Sequence, residues 1–554
     1  MTMSLHPIRT RLLQDLIVRS PAVAQLRTLS ASNTCTRKSR HRSRKRSKPT
    51  KSSNLSKKIL FQSLGCPRNF VDTEVMLGVS ISEGNMEITQ DVGDADVVVV
   101  NTCGFLESAR EESRTAIQDM IDNKRPDSKL LVTGCMVNLK QQQQTILTDF
   151  PDVDAILSSG KIDKVMNTIR ELDDKGSPTE NNTDSFGEAI SPTTSETPVS
   201  RGHRKSFLEA GETPRFLATP PHYAYLKIAE GCRKQCSFCI IPKLKGRLQS
   251  KPIDQIVDEF SSIVQHGTAK EVILIAQDLG DYGKDWKMQK HGGDSSTQMD
   301  SVEDSCHLTT LLRSILQVMD GNENNGNSVL QQMEDPFWIR LLYLYPDEIT
   351  PNLIDLMEQD RRIARYVDLP IQHSHNDILQ AMRRKTSGEQ IQDTIQQLRT
   401  RLPDICIRTS LMVGFPGETE EHFEHLLNFV REQKLDHVGV FTYSDEKMAH
   451  SSRLHNHVSE EVKQSRYRRL METQWRVVED KYQQWMKDRK TFRVVIEGLH
   501  ESDPSRIVGR HAGQCPDIDG QVILEGHPRV FAGERYWVEM TGYEGFDLVA
   551  KVIE

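Results

Sequence analysis

Three cysteines stand within eight residues, in the run Cys232-Arg-Lys-Gln-Cys236-Ser-Phe-Cys239. Soft thiolates at this spacing suit three irons of a four-iron, four-sulfur cluster. The loop holds no fourth cysteine. One iron would then stay open to the amino and carboxylate groups of S-adenosylmethionine. One electron into the coordinated sulfonium gives a 5′-deoxyadenosyl radical. Two close cysteine pairs also suit zinc, although zinc normally takes a fourth ligand nearby.

A second set is spread out. Cys66, Cys103 and Cys135 each close a short apolar run: KKILFQSLGC (57–66), ADVVVVNTC (95–103) and KLLVTGC (129–135). One such cysteine reads as a small core residue. Three in successive strand–helix units point to a second cluster, again with one iron open. Of the other cysteines, Cys35, Cys306, Cys406 and Cys515, none has such company. GFPGET (414–419) carries Gly414 and Glu418. Glycine there permits close approach to a ligand, and the next helix start can receive an anion; the bland alternative is a tight turn. Gln277, Asp278, Gln372 and His373 follow apolar runs and would face the same cavity. Phe238 would pack on adenine or close the cysteine loop.

The elements that must position these residues follow from periodicity. The three amino-terminal runs read as buried parallel strands, each followed by a helical stretch. Ligands gather outside the carboxyl ends of such strands, so three cysteines can meet there. Residues 222–445 repeat strand and helix six times, which predicts an incomplete version of the eight-fold α/β barrel. Residues 458–489 read as a long polar helix. Residues 490–554 turn to short strands with glycine-rich turns, a small β-barrel. The expected order is a basic tail (1–58), an α/β domain (59–171), a Ser/Pro-rich linker (172–215), the barrel (216–457) with an insertion (281–335), the helix and the small barrel. At roughly 100–200 residues per domain, 554 residues fit this division.

Charge is uneven. Residues 1–58 hold 15 lysines and arginines against one acid, Asp15. The net charge of −7 therefore hides an acidic body, a poor non-specific ligand for nucleic acid and an attractive one for a basic protein. The arginine- and serine-rich start, with an amphipathic pattern over 5–28, resembles an organelle transit peptide, mitochondrial before plastid. A disordered tail in a cytoplasmic protein, or a nuclear signal in KSRHRSRKRSK (38–48), are the alternatives. No secretory signal pattern is present, so thiols rather than disulfides are expected. No run approaches the ~18 apolar residues of a membrane span.

The three-cysteine domain, the CxxxCxxC barrel and the small terminal barrel, in this order, resemble the radical S-adenosylmethionine methylthiotransferases. SLGCPRNFVDTE (63–74), NTCGFLESAREES (101–113), HYAYLKIAEGC (222–232), LIAQDLGDYG (274–283), LYLYP (342–346) and GRHAGQCPDIDG (509–520) resemble the RimO type. That type modifies an aspartate in the small-subunit ribosomal protein of the decoding centre. Relatives that modify tRNA adenosine typically carry Gly-Cys-Gln-Met-Asn where this chain has Gly65-Cys66-Pro67-Arg68-Asn69. The last domain resembles a TRAM domain, usually an RNA binder. Its 12 acids against 8 bases over 488–554 suit a basic protein better than RNA.

The resemblance implies two four-iron clusters, S-adenosylmethionine, an external electron donor such as ferredoxin or flavodoxin, and a sulfur source. It implies that one S-adenosylmethionine methylates a sulfur at the cluster on Cys66, Cys103 and Cys135. A second, cleaved at Cys232, Cys236 and Cys239, yields the radical that takes hydrogen from the aspartate β-carbon. A tRNA-modifying enzyme is the first rival, and an iron–sulfur protein that only binds ribosomes or RNA the second. The chain departs from the family at Lys245-Gly246, where Arg-Gly is usual, at Ser250-Lys251-Pro252, where Ser-Arg-Pro is usual, and at Lys447-Met448-Ala449-His450, where Gly-Thr is normal. Lysine keeps the charge but loses bidentate geometry.

Overall fold

A computed structural model describes residues 56–84, 86–174, 214–266, 269–286, 307–320, 337–526 and 528–553. The amphipathic pattern over 5–28, most of the linker and the ends of the insertion lie outside the described residues. The chain forms two compact units.

The first unit is built on β1 (Lys58–Ser63), α1 (Pro67–Gly84), β2 (Glu87–Ile88), β3 (Val97–Thr102), α2 (Glu107–Asn123), β4 (Lys129–Gly134), α3 (Lys140–Asp149), β5 (Ala155–Ser158) and α4 (Val165–Asp174). All five strands run parallel, in the order β2-β1-β3-β4-β5. The centre is β3, whose four consecutive valines are fully buried, as a strand covered on both faces requires. Helices return the chain between strands, and Ile117 and Ile146 bury against Val98, Val100 and Leu130. The edge strands β2 and β5 were not expected from the sequence: they have two and four residues, too few for a periodicity.

The second unit begins with β6 (Tyr223–Lys227), β7 (Ala229–Glu230), α5 (Ile241–Leu244), β8 (Gln249–Ser250), α6 (Ile253–His266) and β9 (Glu271–Ile275). It continues with α7 (His307–Asp320), β10 (Trp338–Leu341), α8 (Pro351–Gln359), β11 (Ile363–Asp368), α9 (Asn376–Ala381), α10 (Gly388–Arg401), β12 (Cys406–Val413), α11 (Glu420–Gln433) and β13 (His437–Thr442). Six parallel strands in the order β13-β12-β11-β10-β9-β6 make the incomplete α/β barrel. The insertion contains α7, whose apolar face, Leu308, Leu311, Leu312 and Ile315, is buried.

The long helix α12 (Glu460–Lys487) leads into β14 (Thr491–Leu499), β15 (Ile507–His511), β16 (Val522–Leu524), β17 (Arg535–Glu544) and β18 (Asp547–Val552), which close into a barrel. Val478 and Tyr482 of α12 bury in its core with Val494, Ile496 and Val538. The segment between β15 and β16 reaches the amino-terminal ends of the α/β barrel strands. Asp519 accepts from the Tyr366 hydroxyl at 2.7 Å and pairs with Arg408 at 3.3 Å. Asp517 accepts from the Tyr223 and Tyr225 hydroxyls. Cys406 Sγ and His437 Nε2 contact the Gly513 carbonyl. GRHAGQCPDIDG thus closes the end of the barrel opposite to the carboxyl ends of its strands.

Candidate active site: two cysteine triplets

In the first unit the cysteines follow the carboxyl ends of three adjacent strands. Thr102 of β3 pairs with Gly134 of β4, so Cys103 and Cys135 occupy the next rung on strands that run ~4.8 Å apart. Ser63 of β1 pairs with Asn101, which brings Cys66 level by way of Leu64 and Gly65. The Cys66 carbonyl accepts from the amides of Asn69 and Phe70, so Cys66 caps α1, and Pro67 occupies its first turn. A helix amino terminus favours a thiolate there. Two asparagines lock the arrangement. Asn69 Nδ2 donates to the Leu64, Asn101 and Thr102 carbonyls, and Asn101 Nδ2 donates to Asn69 O and Thr73 Oγ1. Ser113 bonds both the amide and the carbonyl of Cys103. Gly65 has φ of 86°, and a β-carbon on it would lie 2.8 Å from Cys103 Cβ and 3.0 Å from its sulfur. Glycine keeps the space beside that sulfur open.

In the second unit one loop carries the triplet. β7 and β8 pair antiparallel at its base, and Cys232 N donates to Gly246 O. Gly231 has φ of 80°, and any side chain there would run into the Arg247 carbonyl. Ser237 is held from two sides: its amide and hydroxyl donate to Met382 O and Ala381 O, and its carbonyl accepts from Ser451 N. Phe238 packs against the cluster of Ile378, Met382, Phe415 and Tyr443, which closes the loop. Each sulfur has a hydrogen-bond partner. Lys234 N and Ile241 N lie 3.4 Å from the sulfurs of Cys232 and Cys239, and the Tyr345 hydroxyl 3.2 Å from that of Cys236. Burial, with Asp278 and Asp281 adding to it, pushes the Cys232 thiol up to about 11.

The other sequence candidates occupy distinct settings. Gln277 lies beyond the end of β9, its Oε1 buried and without a hydrogen-bond partner, as a group awaiting a ligand would be. Asp278 is buried at 3.5 Å from Lys234, and burial lifts it to about 7. Gln372 has φ of 72°, bridges β12 through Leu411, and points its amide at Pro370 O. His373 is fully buried 3.6 Å from Glu418, and burial lowers its pKa. Glu418 accepts from Gly414 N and pairs with Arg466 at 3.3 Å. The Lys463 stem lies over Gly414. A β-carbon on Gly414 would meet that stem, and Glu418 is tied to its own turn through one oxygen while its Oε1, 3.6 Å from His373, is buried without a hydrogen-bond partner.

Residues that sequence reasoning passed over complete the setting. Lys234 sits among Glu348 at 2.8 Å, Asp278 and Asp347 at 3.5 Å, and Asp281 at 3.7 Å. Tyr345 and Arg384 approach Cys236. Asn69, Asn101 and Ser113 hold the first triplet. Asn69 and Asn101 stand within three residues of a cysteine and Tyr345 within LYLYP, a signal that spacing alone does not rank, and Arg384 carried none.

Family models match the same three parts: Uncharacterized protein family UPF0004 over residues 58–158, the Radical SAM superfamily over 226–430 and the TRAM domain over 490–553. The chain is 45% identical over 497 residues to the ribosomal protein uS12 methylthiotransferase RimO of Protochlamydia amoebophila, covering 90% of this chain and 92% of that one. It is 36% identical to the RimO of Bdellovibrio bacteriovorus, covering 90% and 98%. The chain belongs to the RimO family of radical S-adenosylmethionine methylthiotransferases. A solved radical S-adenosylmethionine methyltransferase, TsrM from Kitasatospora setae, is similar at 12% identity, with a TM-score of 0.47 over 70% of this chain and 72% of that one. RimO-family enzymes work with iron–sulfur clusters and S-adenosylmethionine, and the residues present fit both. All six cysteines are half-buried thiols, the second three have hydrogen-bond donors on sulfur, and Gly65 leaves room beside Cys103.

Proposed function

We propose that the chain transfers a methylthio group to the β-carbon of an aspartate in uS12, the decoding-centre protein of the small ribosomal subunit. The observation that carries this is the pair of triplets, each fixed by its own scaffold, in a chain aligned over nine-tenths of its length with enzymes named for that reaction. Cys232, Cys236 and Cys239 would hold one cluster, which would supply the electron for cleaving S-adenosylmethionine, and Cys66, Cys103 and Cys135 would hold the other, which would carry the sulfur to be transferred.

The chain's own residues supply position and dryness. Ser237 and Phe238 fix the cysteine loop against the barrel's carboxyl end. Gln277 offers an unpartnered amide oxygen there, suited to a donor on S-adenosylmethionine such as its ammonium. Lys234 balances the buried acids Asp278 and Asp281 and the half-buried Glu348, which would otherwise repel an electron-rich centre. Holding reactants in line and away from water is how such a site channels a radical.

An electron donor such as ferredoxin or flavodoxin and an external sulfur source complete the reaction. The acidic balance of the terminal domain favours a basic protein over tRNA as substrate. The basic first 58 residues are read as a transit peptide for an organelle, the mitochondrion first; fusing them to a fluorescent protein tests this, and a cytosolic or nuclear signal overturns it. The decisive assay incubates reconstituted, reduced enzyme with uS12 and, separately, with tRNA. Methylthio mass on uS12 supports the proposal. Mass on tRNA alone replaces it with the tRNA reading. No 5′-deoxyadenosine at all would leave a protein that only binds.

A further inference from the structure

The three sulfurs of the radical loop stand in unlike electrostatic surroundings. Cys232 lies in the field of the acids Asp278 and Asp281. Cys236 faces two donors that come from far along the chain. The Tyr345 hydroxyl lies 3.2 Å from its sulfur, and Arg384 Nη1 lies 3.8 Å away. The Arg384 guanidinium also stacks over the Tyr345 ring, with its carbon 4.0 Å from the centroid, and donates to Pro370 O. These contacts orient its planar fork. The segment that delivers Arg384 is the one that receives both Ser237 hydrogen bonds, so it is held against the residue next to Cys236.

A cysteine sulfur bound to iron has no proton, so both contacts must then run from Tyr345 and Arg384 to sulfur. Hydrogen bonds and positive charge at a cluster sulfur favour the state with one more electron. Resting on the reading that Cys232, Cys236 and Cys239 hold the radical cluster, we propose that Tyr345 and Arg384 are positioning residues that raise its reduction potential through Cys236. They would bring the cluster within reach of the electron donor. The acids near Cys232 act in the opposite sense, and Lys234 offsets them.

The test is a redox titration of the full-length, two-cluster enzyme followed by electron paramagnetic resonance. The radical cluster is the signal that changes when S-adenosylmethionine is added. Y345F removes only the hydroxyl and keeps the ring. R384Q removes the charge, and R384K keeps charge without the fork. Y345F and R384Q should each shift the reduction equilibrium roughly tenfold toward the oxidised form, about 59 mV for one electron. R384K should shift it less than R384Q. Iron content equal to the parent, with less than a twofold shift in both Y345F and R384Q, overturns the proposal. If R384Q fails to hold iron, Y345F decides alone. A parent enzyme that binds no iron at Cys232, Cys236 and Cys239 would instead defeat the functional reading itself.

Discussion

Cys232, Cys236 and Cys239 share one eight-residue loop, whereas Cys66, Cys103 and Cys135 arrive from the ends of three strands. The loop is shaped by its own turns and tied down at Ser237. The strand triplet owes its convergence to register: Ser63 to Asn101 and Thr102 to Gly134 set the three ends level. A local triplet is fixed by a few backbone bonds. A dispersed one needs the whole sheet, and so also the Asn69–Asn101 exchange that joins segments 32 residues apart.

The widest separation between the two regions should come from the ligands themselves. C236S should abolish 5′-deoxyadenosine formation. C103S should leave that formation in place and abolish methylthio transfer, measured as product mass in the same reaction. Loss of 5′-deoxyadenosine in C103S would mean that the two triplets do not divide the chemistry.

Two glycines sharpen the comparison at the level of backbone. G65A places alanine at positive φ, about 1–2 kcal/mol of strain, and crowds Cys103 as well. It should cost the first triplet its iron while 5′-deoxyadenosine is still made. G231A meets the Arg247 carbonyl and should do the reverse. Iron per chain, with the cleavage assay, reads both. Equal loss of cleavage in the two variants would contradict independent scaffolding.

Acid should also tell the regions apart. The first triplet is locked by neutral amides. The barrel that carries the second is closed at its other end by ion pairs: Glu271 with Arg340 and Arg510, and Arg510 with Glu497, each at 2.5–2.6 Å. Burial works against Glu497, yet Arg510 and His222 hold it down to about 2. A carboxylate depressed on folding stabilises above its unfolded value and loses that contribution as pH falls through its folded one. The second unit should therefore lose on the order of 2–3 kcal/mol between pH of about 4.5 and about 2. E497Q should flatten that slope in urea titrations at stepped pH. An unchanged slope would remove Glu497 from the account.

What the sequence made legible divides along the same line. The radical loop is readable because residue type and spacing are local, and the strands before Cys66, Cys103 and Cys135 because valine and leucine runs mark buried parallel strands. Tyr345 and Arg384 were not readable as partners of Cys236, since they lie 109 and 148 residues from it and only the order of strands in the six-stranded sheet brings them together. The role of GRHAGQCPDIDG was hidden for the same reason. Asp519 is one of the 12 acids in the terminal charge balance, but its side chain is buried against Tyr366 and Arg408. GFPGET showed a turn that could admit a ligand, and only the packing of α12 reveals Lys463 over Gly414.

The smallest effect should come from a departure at the radical loop. Lys245 stands where the family usually has arginine. Its ammonium is nearly buried, 2.6 Å from Glu230, and Lys227 lies 3.4 Å from the same carboxylate. Burial opposes the charge on Glu230, and the two lysines overcome it, holding the group at about 2. An ammonium pairing with a carboxylate is a point-charge arrangement, which needs no planar fork. K245R should therefore change 5′-deoxyadenosine formation by less than about twofold and stability by under ~1 kcal/mol. K245M, which leaves Glu230 paired with Lys227, should cost about 1–2 kcal/mol of stability in the second unit, seen as a lowered unfolding midpoint. A K245R enzyme that lost cleavage activity more than tenfold would show that the loop reads the shape of residue 245 and not merely its charge. The local triplet would then depend on the side-chain shape of its own flank as well as on its backbone bonds.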